Sequence, residues 1–342
     1  MYHNASLTHW LLNNNKKIFI PAHADIDLSN ACNQDCFYCN SVDFRKKFSG
    51  QPKHTTYIKL LDQLSTWREH SSDSYGTLHT ITYPGGGEPT LLKHYEQVIE
   101  HTIDLGFLTS ITTNGSNLKP LYTNVSVEKL KKLAWVGIDI DSADKDTYEL
   151  IRHSNNNKSP FNDVIENTKV LVEMGVNVDF KILLSKYNIK PQSIINLFEL
   201  AQKLNVRMLY FRPTIMDNKA FDIYPTTINF IQSCGKRYNI TTKINTDKHL
   251  ARNYTQCHQM FQFPVFCADQ NMYTCCEHRG DPRFKLGNWV ENDVRDFWQQ
   301  QRHWDIYKDI DTTLCRPCRP NKNNIQMQDI IDNNNLLETL YM

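Results

Sequence analysis

Between residues 18 and 213, short runs rich in β-branched and aromatic residues alternate with amphipathic stretches of helical period, and this alternation restricts the chain more than any other feature. The β-rich runs are Ile18–Leu28, Leu78–Tyr83, Phe107–Thr113, Leu133–Asp139, Asn177–Leu184 and Val206–Arg212. Between them, Tyr57, Leu60, Leu61, Leu64 and Trp67 share one helical face, and Phe161, Val164, Ile165, Thr168 and Leu171 share another. Ile194, Leu197, Phe198 and Ala201 form a third stripe, closing at Asn205. Ser159 and Pro160 read as N-cap and N1 of the second helix, with Gly175 just past its end. Repeated βα units call for a parallel sheet. Six of them are too few for a closed eight-stranded barrel, so the pattern predicts an α/β fold on a partial (β/α)6 TIM-like barrel, with active-site loops at the C-terminal strand ends.

With 38 basic and 37 acidic residues, bulk charge holds the chain to neither nucleic acid nor membrane, and neither is expected as a partner. No apolar run approaches the roughly 18 residues a spanning helix needs, and the start lacks a secretion signal, so the expected location is cytoplasmic. In a reducing compartment, ten cysteines bind metal or do chemistry more often than they form disulfides. Cys32, Cys36 and Cys39 stand as C-x3-C-x2-C near the start. Cys257, Cys267, Cys275, Cys276, Cys315 and Cys318 lie in the last quarter, and Cys234, standing alone, reads as a core residue. Two metal sites from different parts of the chain follow. The expected organisation is an N-terminal lead over 1–17, the barrel over 18–215 and a bridging segment over 216–250 with a helix at Ile228–Cys234. A small metal-supported domain over 251–325 and a tail over 326–342, helical or partly disordered, complete it.

Three thiolates can hold three irons of a cubic 4Fe-4S cluster and leave the fourth iron open to a ligand. The first cluster lies in the loop after the first β-rich run, as CNQDCFYC with Tyr38 before the last cysteine. A zinc knuckle or three core cysteines are the alternatives. This segment resembles the defining motif of the radical SAM superfamily. The resemblance implies that the open iron chelates S-adenosylmethionine, and that one electron from the cluster cleaves the sulfonium to a 5′-deoxyadenosyl radical that abstracts hydrogen from substrate. A flavodoxin- or ferredoxin-type reductant is the implied partner. PGGGEPT, at 84–90, resembles the family's GGE motif and implies binding of the methionyl amine by Gly86, Gly87 and Glu88. Thr113-Asn114-Gly115 is similar to its TNG segment, with a tight Asn-Gly turn as the alternative to a cofactor contact by Asn114. GIDIDSADKDTYELIRH resembles the S-x-D…R segment, with Asp139 in the serine position for the ribose and Arg152 in the arginine position for the carboxylate. Arg152 could equally be a solvated helix residue paired with Glu149.

Cys257-x17-Cys275 followed by Cys315-x2-Cys318 resembles the twitch form of the SPASM auxiliary-cluster domain. VFCADQNMYTCCEHRG reads as its hairpin, with Asp269-Gln270 where the family has Asp-Gly, and LGNW at 286–289 and the segment around Trp298 extend the likeness. It implies one auxiliary 4Fe-4S cluster on Cys257, Cys275, Cys315 and Cys318, with Cys267 and Cys276 as small hydrophobes or alternative ligands. A structural zinc on the same four thiolates is the alternative. His258, His278 and His303 lie near these cysteines and are expected to be solvent-facing or core residues.

A carbon radical becomes a carbonyl, imine or alkene by losing one more electron and a proton, and a cluster held by four thiolates can take that electron. The expected function is therefore a radical SAM oxidoreductase that dehydrogenates a small metabolite or sugar-like alcohol. A peptide-modifying enzyme that crosslinks, epimerises or forms thioethers is the second reading, disfavoured because 31 residues before Cys32 are too few for a leader-binding domain. A non-catalytic iron-sulfur or zinc regulator is the third. Tyr210, Arg212 and Asp179 lie on late strands where substrate would enter, and structural roles explain each of them equally well.

Overall fold

The computed structural model describes residues 2–12, 17–48, 50–68, 73–155, 158–214, 224–247 and 250–333. Twelve strands run through them: β1 (Ile18–Phe19), β2 (His23–Ile26), β3 (Ser74–Tyr75), β4 (Thr80–Tyr83), β5 (Leu108–Thr113), β6 (Trp135–Asp139), β7 (Val178–Leu184), β8 (Met208–Pro213), β9 (Thr241–Ile244), β10 (Val265–Phe266), β11 (Asn271–Tyr273) and β12 (Lys285–Asn288). The chain divides into two compact units. One comprises Met1–Asp27, Gly50–Thr82 and Asp247–Met342; the other comprises Leu28–Ser49 and Tyr83–Thr246.

In the first unit β2 pairs in parallel with both β4 and β10, and β10, β11 and β12 continue as an antiparallel meander. The single run expected over Ile18–Leu28 is broken in two. Pro21 offers no N–H to a ladder, so the chain pairs Ile18–Phe19 with Ser74–Tyr75 and begins again at His23. The hairpin expected at 265–280 forms between β10 and β11, and Gln270 takes the left-handed backbone (φ +70°) that a glycine would accept without strain. The tail begins as a helix over Asn321–Asn333; the rest of the expected tail lies outside the described residues.

In the second unit β5 to β9 lie side by side in chain order, all parallel. β9 was not expected from the alternation. It is four residues long and follows the helix Tyr224–Tyr238, which is longer than the Ile228–Cys234 stretch read from sequence. The helix Phe161–Glu173 starts one residue late, with Pro160 as its N-cap, and Gly175 follows its C-cap with φ +80°. One face of this sheet is a buried apolar layer that includes Ile111, Val136, Ile138, Phe180, Ile182, Leu209 and Phe211. Strand residues alternate faces, so the other face presents Thr112, Trp135, Asp139, Lys181, Tyr210, Arg212 and Lys243. Asp139, Lys181, Tyr210 and Lys243 are in register across β6–β9.

Candidate functional site

The first three cysteines occupy a loop that is tied to three other segments of its own unit. Within the loop, Cys39 N–H donates to Cys36 O at 3.1 Å, closing a tight turn. The glycine run meets the loop edge-on: Gly87 N–H donates to Ser29 O and Glu88 N–H to Ala31 O, each at 2.7 Å. Only a glycine fits at 87, because an added Cβ would lie within 2.8 Å of the Asn30 and Ala31 carbonyl carbons and closer still to Ala31 O. On the other side, Asp35 N–H donates to His153 O at 2.9 Å and Asn155 Nδ2 to Cys32 O at 3.0 Å, which anchors the loop to the C-terminal end of the helix Lys145–Arg152. The turn after β5 supplies the third tie, Asn114 Nδ2 donating to Asn33 Oδ1 at 2.7 Å.

Glu88 is buried, and both carboxylate oxygens are engaged: Oε1 accepts from Thr113 Oγ1 (2.6 Å) and Thr90 Oγ1 (2.7 Å), Oε2 from Asn114 N–H (2.7 Å). Burial raises its pKa, and these donors oppose the rise. Asn114 is likewise committed, its Oδ1 accepting from Ser116 N–H and Oγ at 3.0 and 2.7 Å while Gly115 turns at φ +78°. The tight turn expected at Asn114-Gly115 is formed.

Arg152 is not the solvated partner of Glu149. It is buried at 4% exposure, forms an ion pair with Asp141 (2.9 Å) and donates from Nη1 to Gln34 Oε1 at 3.2 Å. Asp141 also accepts from Leu183 N–H (2.7 Å) and from the Tyr38 hydroxyl. Sequence reading passed over Asp141, although the S-x-D spacing, two residues beyond Asp139, marks it. Asp139 is half-buried, with its carboxylate 3.8 Å from Arg212; burial raises its pKa, and Arg152, Arg212 and Lys181 pull it back.

The thiols suit a polycationic guest. Burial pushes Cys36 up to about 12, and charge on neighbouring Cys32 or Cys39 would push it further. Burial also raises Cys32. Thiols as reluctant to ionise as Cys32 and Cys36 become thiolates readily only against strongly positive ions, which is what the irons of a cube provide.

A second group of thiols belongs to the other unit. Cys257, Cys275 and the closely spaced pair Cys315 and Cys318 line one cavity together with His278 and Thr274. Cys267 and Cys276 do not line it. Cys267 is fully buried beside Asp27, and Cys276 lies near Arg279 and Arg319. Burial holds Cys257 at about 12. Asn324 Nδ2 donates to Cys257 Sγ and Glu277 N–H to Cys275 Sγ, both at 3.4 Å, and His278 Nε2 is 3.6 Å from Cys315 Sγ. The buried Thr274 hydroxyl has no hydrogen-bond partner among the described residues. An orphaned donor and N–H groups aimed at sulfur fit an inorganic guest rich in acceptors. Among the described residues, no three His, Cys, Asp or Glu side chains converge tightly enough to grip a single ion. His258 and His303 turn away: the first is buried against Tyr307 and Gln328, the second against Phe261 and Trp298. Cys234 is a core residue at 4% exposure.

The family model for the radical SAM superfamily matches residues 26–200, more than half of the 342. The chain belongs to the radical SAM superfamily. It is 28% identical over 166 residues to an S-adenosylmethionine-dependent nucleotide dehydratase from Flammeovirga pacifica, covering 46% of this chain and 52% of the dehydratase. The chain therefore spans about half the length of that relative. It is 24% identical over 258 residues to a probable GTP 3′,8-cyclase from Saccharolobus solfataricus, covering 72% and 77% of the two chains. Among solved structures, Streptococcus suis SuiB bound to S-adenosylmethionine superposes with a TM-score of 0.65 at 14% identity, covering 87% of this chain and 68% of that one. AnSMEcpe with bound AdoMet gives 0.59 at 15% identity, covering 84% and 83%. These likenesses concern the fold, which is α/β with a largely parallel sheet, as the alternation in sequence predicts. No helix among the described residues is long and apolar enough to cross a membrane.

Proposed function

We propose that this radical SAM enzyme is an oxidoreductase that dehydrogenates a small metabolite, with Cys32, Cys36 and Cys39 holding the cofactor-binding 4Fe-4S cluster and Cys257, Cys275, Cys315 and Cys318 an auxiliary one. When bound, the first cluster with S-adenosylmethionine supplies a 5′-deoxyadenosyl radical able to take a hydrogen atom, and the second supplies an acceptor for the electron left on the substrate. The protein's own part is positional. Glu88 organises the glycine run against the cysteine loop, so that Gly86, Gly87 and Glu88 line the place of the methionyl amine. Arg152, Asp141 and Tyr38 brace the loop from the opposite side, and Asp139 is the acceptor offered to the ribose. A small substrate is favoured over a peptide because the relatives that match by sequence are named for nucleotides, whereas SuiB bound to its precursor peptide is a likeness of fold alone.

The observation that carries this reading is the four-thiol cavity, whose sulfurs meet N–H groups: such donors stabilise the reduced, more negative cluster and favour electron uptake. Anaerobic reconstitution followed by EPR tests it. Two distinct 4Fe-4S signals are expected, one perturbed by S-adenosylmethionine and one lost in Cys257→Ala. With substrates deuterated at single carbons, label should appear in 5′-deoxyadenosine. Zinc in the second site, or label-free 5′-deoxyadenosine with every metabolite tried and labelled product with a peptide, would refute it.

A further inference from the structure

The open face of the β5–β9 sheet carries cations that the binding of S-adenosylmethionine does not use in the reading above. Lys181 and Arg212 are diagonal neighbours on β7 and β8, since Lys181 is in register with Tyr210 and Leu183 with Arg212. Lys181 Nζ sits 3.6 Å from the centre of the Trp135 ring and donates to Thr112 Oγ1 at 2.9 Å. Gly137 makes room for it, because a Cβ there would collide with the Lys181 side chain. Arg212 is held loosely: its ion pair with Asp139 is open at 3.8 Å, it leans on the Tyr210 ring at 5.6 Å, and its buried Nε meets no hydrogen-bond partner among the described residues. Asp179, by contrast, is taken up by a bidentate contact with Arg207 at 2.8 and 2.6 Å.

Asp139 is acted on by Arg152, Arg212 and Lys181, and of these Arg152 already belongs to Asp141. Lys181 and Arg212 thus stand side by side on a half-buried polar face, and the buried Nε of the Arg212 guanidinium meets no hydrogen-bond partner among the described residues, a combination that suits an oxyanion. Trp135 and Tyr210 flank the two cations, giving apolar surface on either side.

We infer that Lys181 and Arg212 form a phosphate subsite, so that the metabolite oxidised by this enzyme is a phosphate ester or nucleotide-like polyanion. The inference rests on the function proposed above and adds the substrate class to it. Tripolyphosphate is the probe, titrated calorimetrically into the reconstituted protein, with S-adenosylmethionine titrated separately. Lys181→Met and Arg212→Met should each weaken tripolyphosphate about tenfold, with Arg212→Lys intermediate, because each removes charge-assisted hydrogen bonds. Lys169→Met, on an exposed helix face, should change nothing. Wild-type affinity for the probe in both Met variants overturns the assignment. So does a loss that falls on S-adenosylmethionine instead, which would give these cations to the cofactor. If a Met variant misfolds by circular dichroism, Lys181→Arg decides, since it keeps the charge and should keep the affinity. Formation of 5′-deoxyadenosine by wild-type enzyme reports the radical chemistry independently of either titration.

Discussion

Replacing Gly87 with alanine tests the claim that the glycine run exists to meet the cysteine loop. The new Cβ would lie 2.7 Å from Asn30 C and 2.8 Å from Ala31 C, all backbone, so no side chain can swing aside. Either the overlap stays, at about 1–3 kcal/mol for overpacking, or the segments part and lose the hydrogen bonds Gly87 N–H to Ser29 O and Glu88 N–H to Ala31 O, at about 0.5–1.5 kcal/mol each. Both routes displace the loop that carries Cys32 from the turn that carries Glu88. The expected outcome is specific to one site: the EPR perturbation of the reduced N-terminal cluster by S-adenosylmethionine weakens at least tenfold, on the scale of about 1.4 kcal/mol or more, while the auxiliary cluster signal is unchanged. Wild-type affinity for S-adenosylmethionine and wild-type release of 5′-deoxyadenosine by Gly87→Ala would refute the reasoning. Equal damage to both clusters would show global unfolding rather than a local wedge.

Three further outcomes are expected. Arg152→Met leaves Asp141 buried without its cation and should destabilise the fold by about 3–5 kcal/mol in denaturant melts, whereas Lys169→Met should cost under about 0.5 kcal/mol. His303 is buried and held neutral, its pKa lowered by burial from 6.5 to about 3, so the unfolded chain binds the extra proton between those values. Stability contributed by neutral His303 is therefore complete above about pH 6.5 and declines as pH falls, by about 1.4 kcal/mol per pH unit, and His303→Phe should flatten a melting-temperature profile between pH 7 and 5. Gln270→Gly relieves a left-handed residue at φ +70° and should raise stability by about 0.5–1 kcal/mol, the unfolded-state entropy of glycine offsetting part of the gain; a lower melting temperature would count against the strain.

Much of the site was legible because its chemistry is local in sequence. The C-x3-C-x2-C spacing already fits one tight loop, which closes through Cys39 N–H to Cys36 O, and the helical stripe of Ile194, Leu197, Phe198 and Ala201 is the buried face of the helix Pro191–Lys203. Other roles were out of reach because they depend on partners far away in the chain. Glu88 reads as a cofactor contact in its motif, yet its carboxylate is occupied by Thr90, Thr113 and Asn114. Asn114 reads equally as a turn and as a ligand, and that Asn33 and Ser116 stand against its amide is visible only in the fold.

By itself the sequence determined the alternation that makes a parallel sheet, the family and the six cysteines available to a second site, because periodicity and spacing act over a few residues at a time. The family resemblance in the sequence already singles out Cys257, Cys275, Cys315 and Cys318, and the tertiary structure brings these four to one cavity while turning Cys267 and Cys276 elsewhere. It also decided between a solvated and a buried Arg152 by pairing it with Asp141, and it left the buried Arg212 Nε without a hydrogen-bond partner among the described residues. The reason is the same in each case: what a charged or polar side chain can do is set by which groups compete for it once water is gone, and those competitors are assembled by folding.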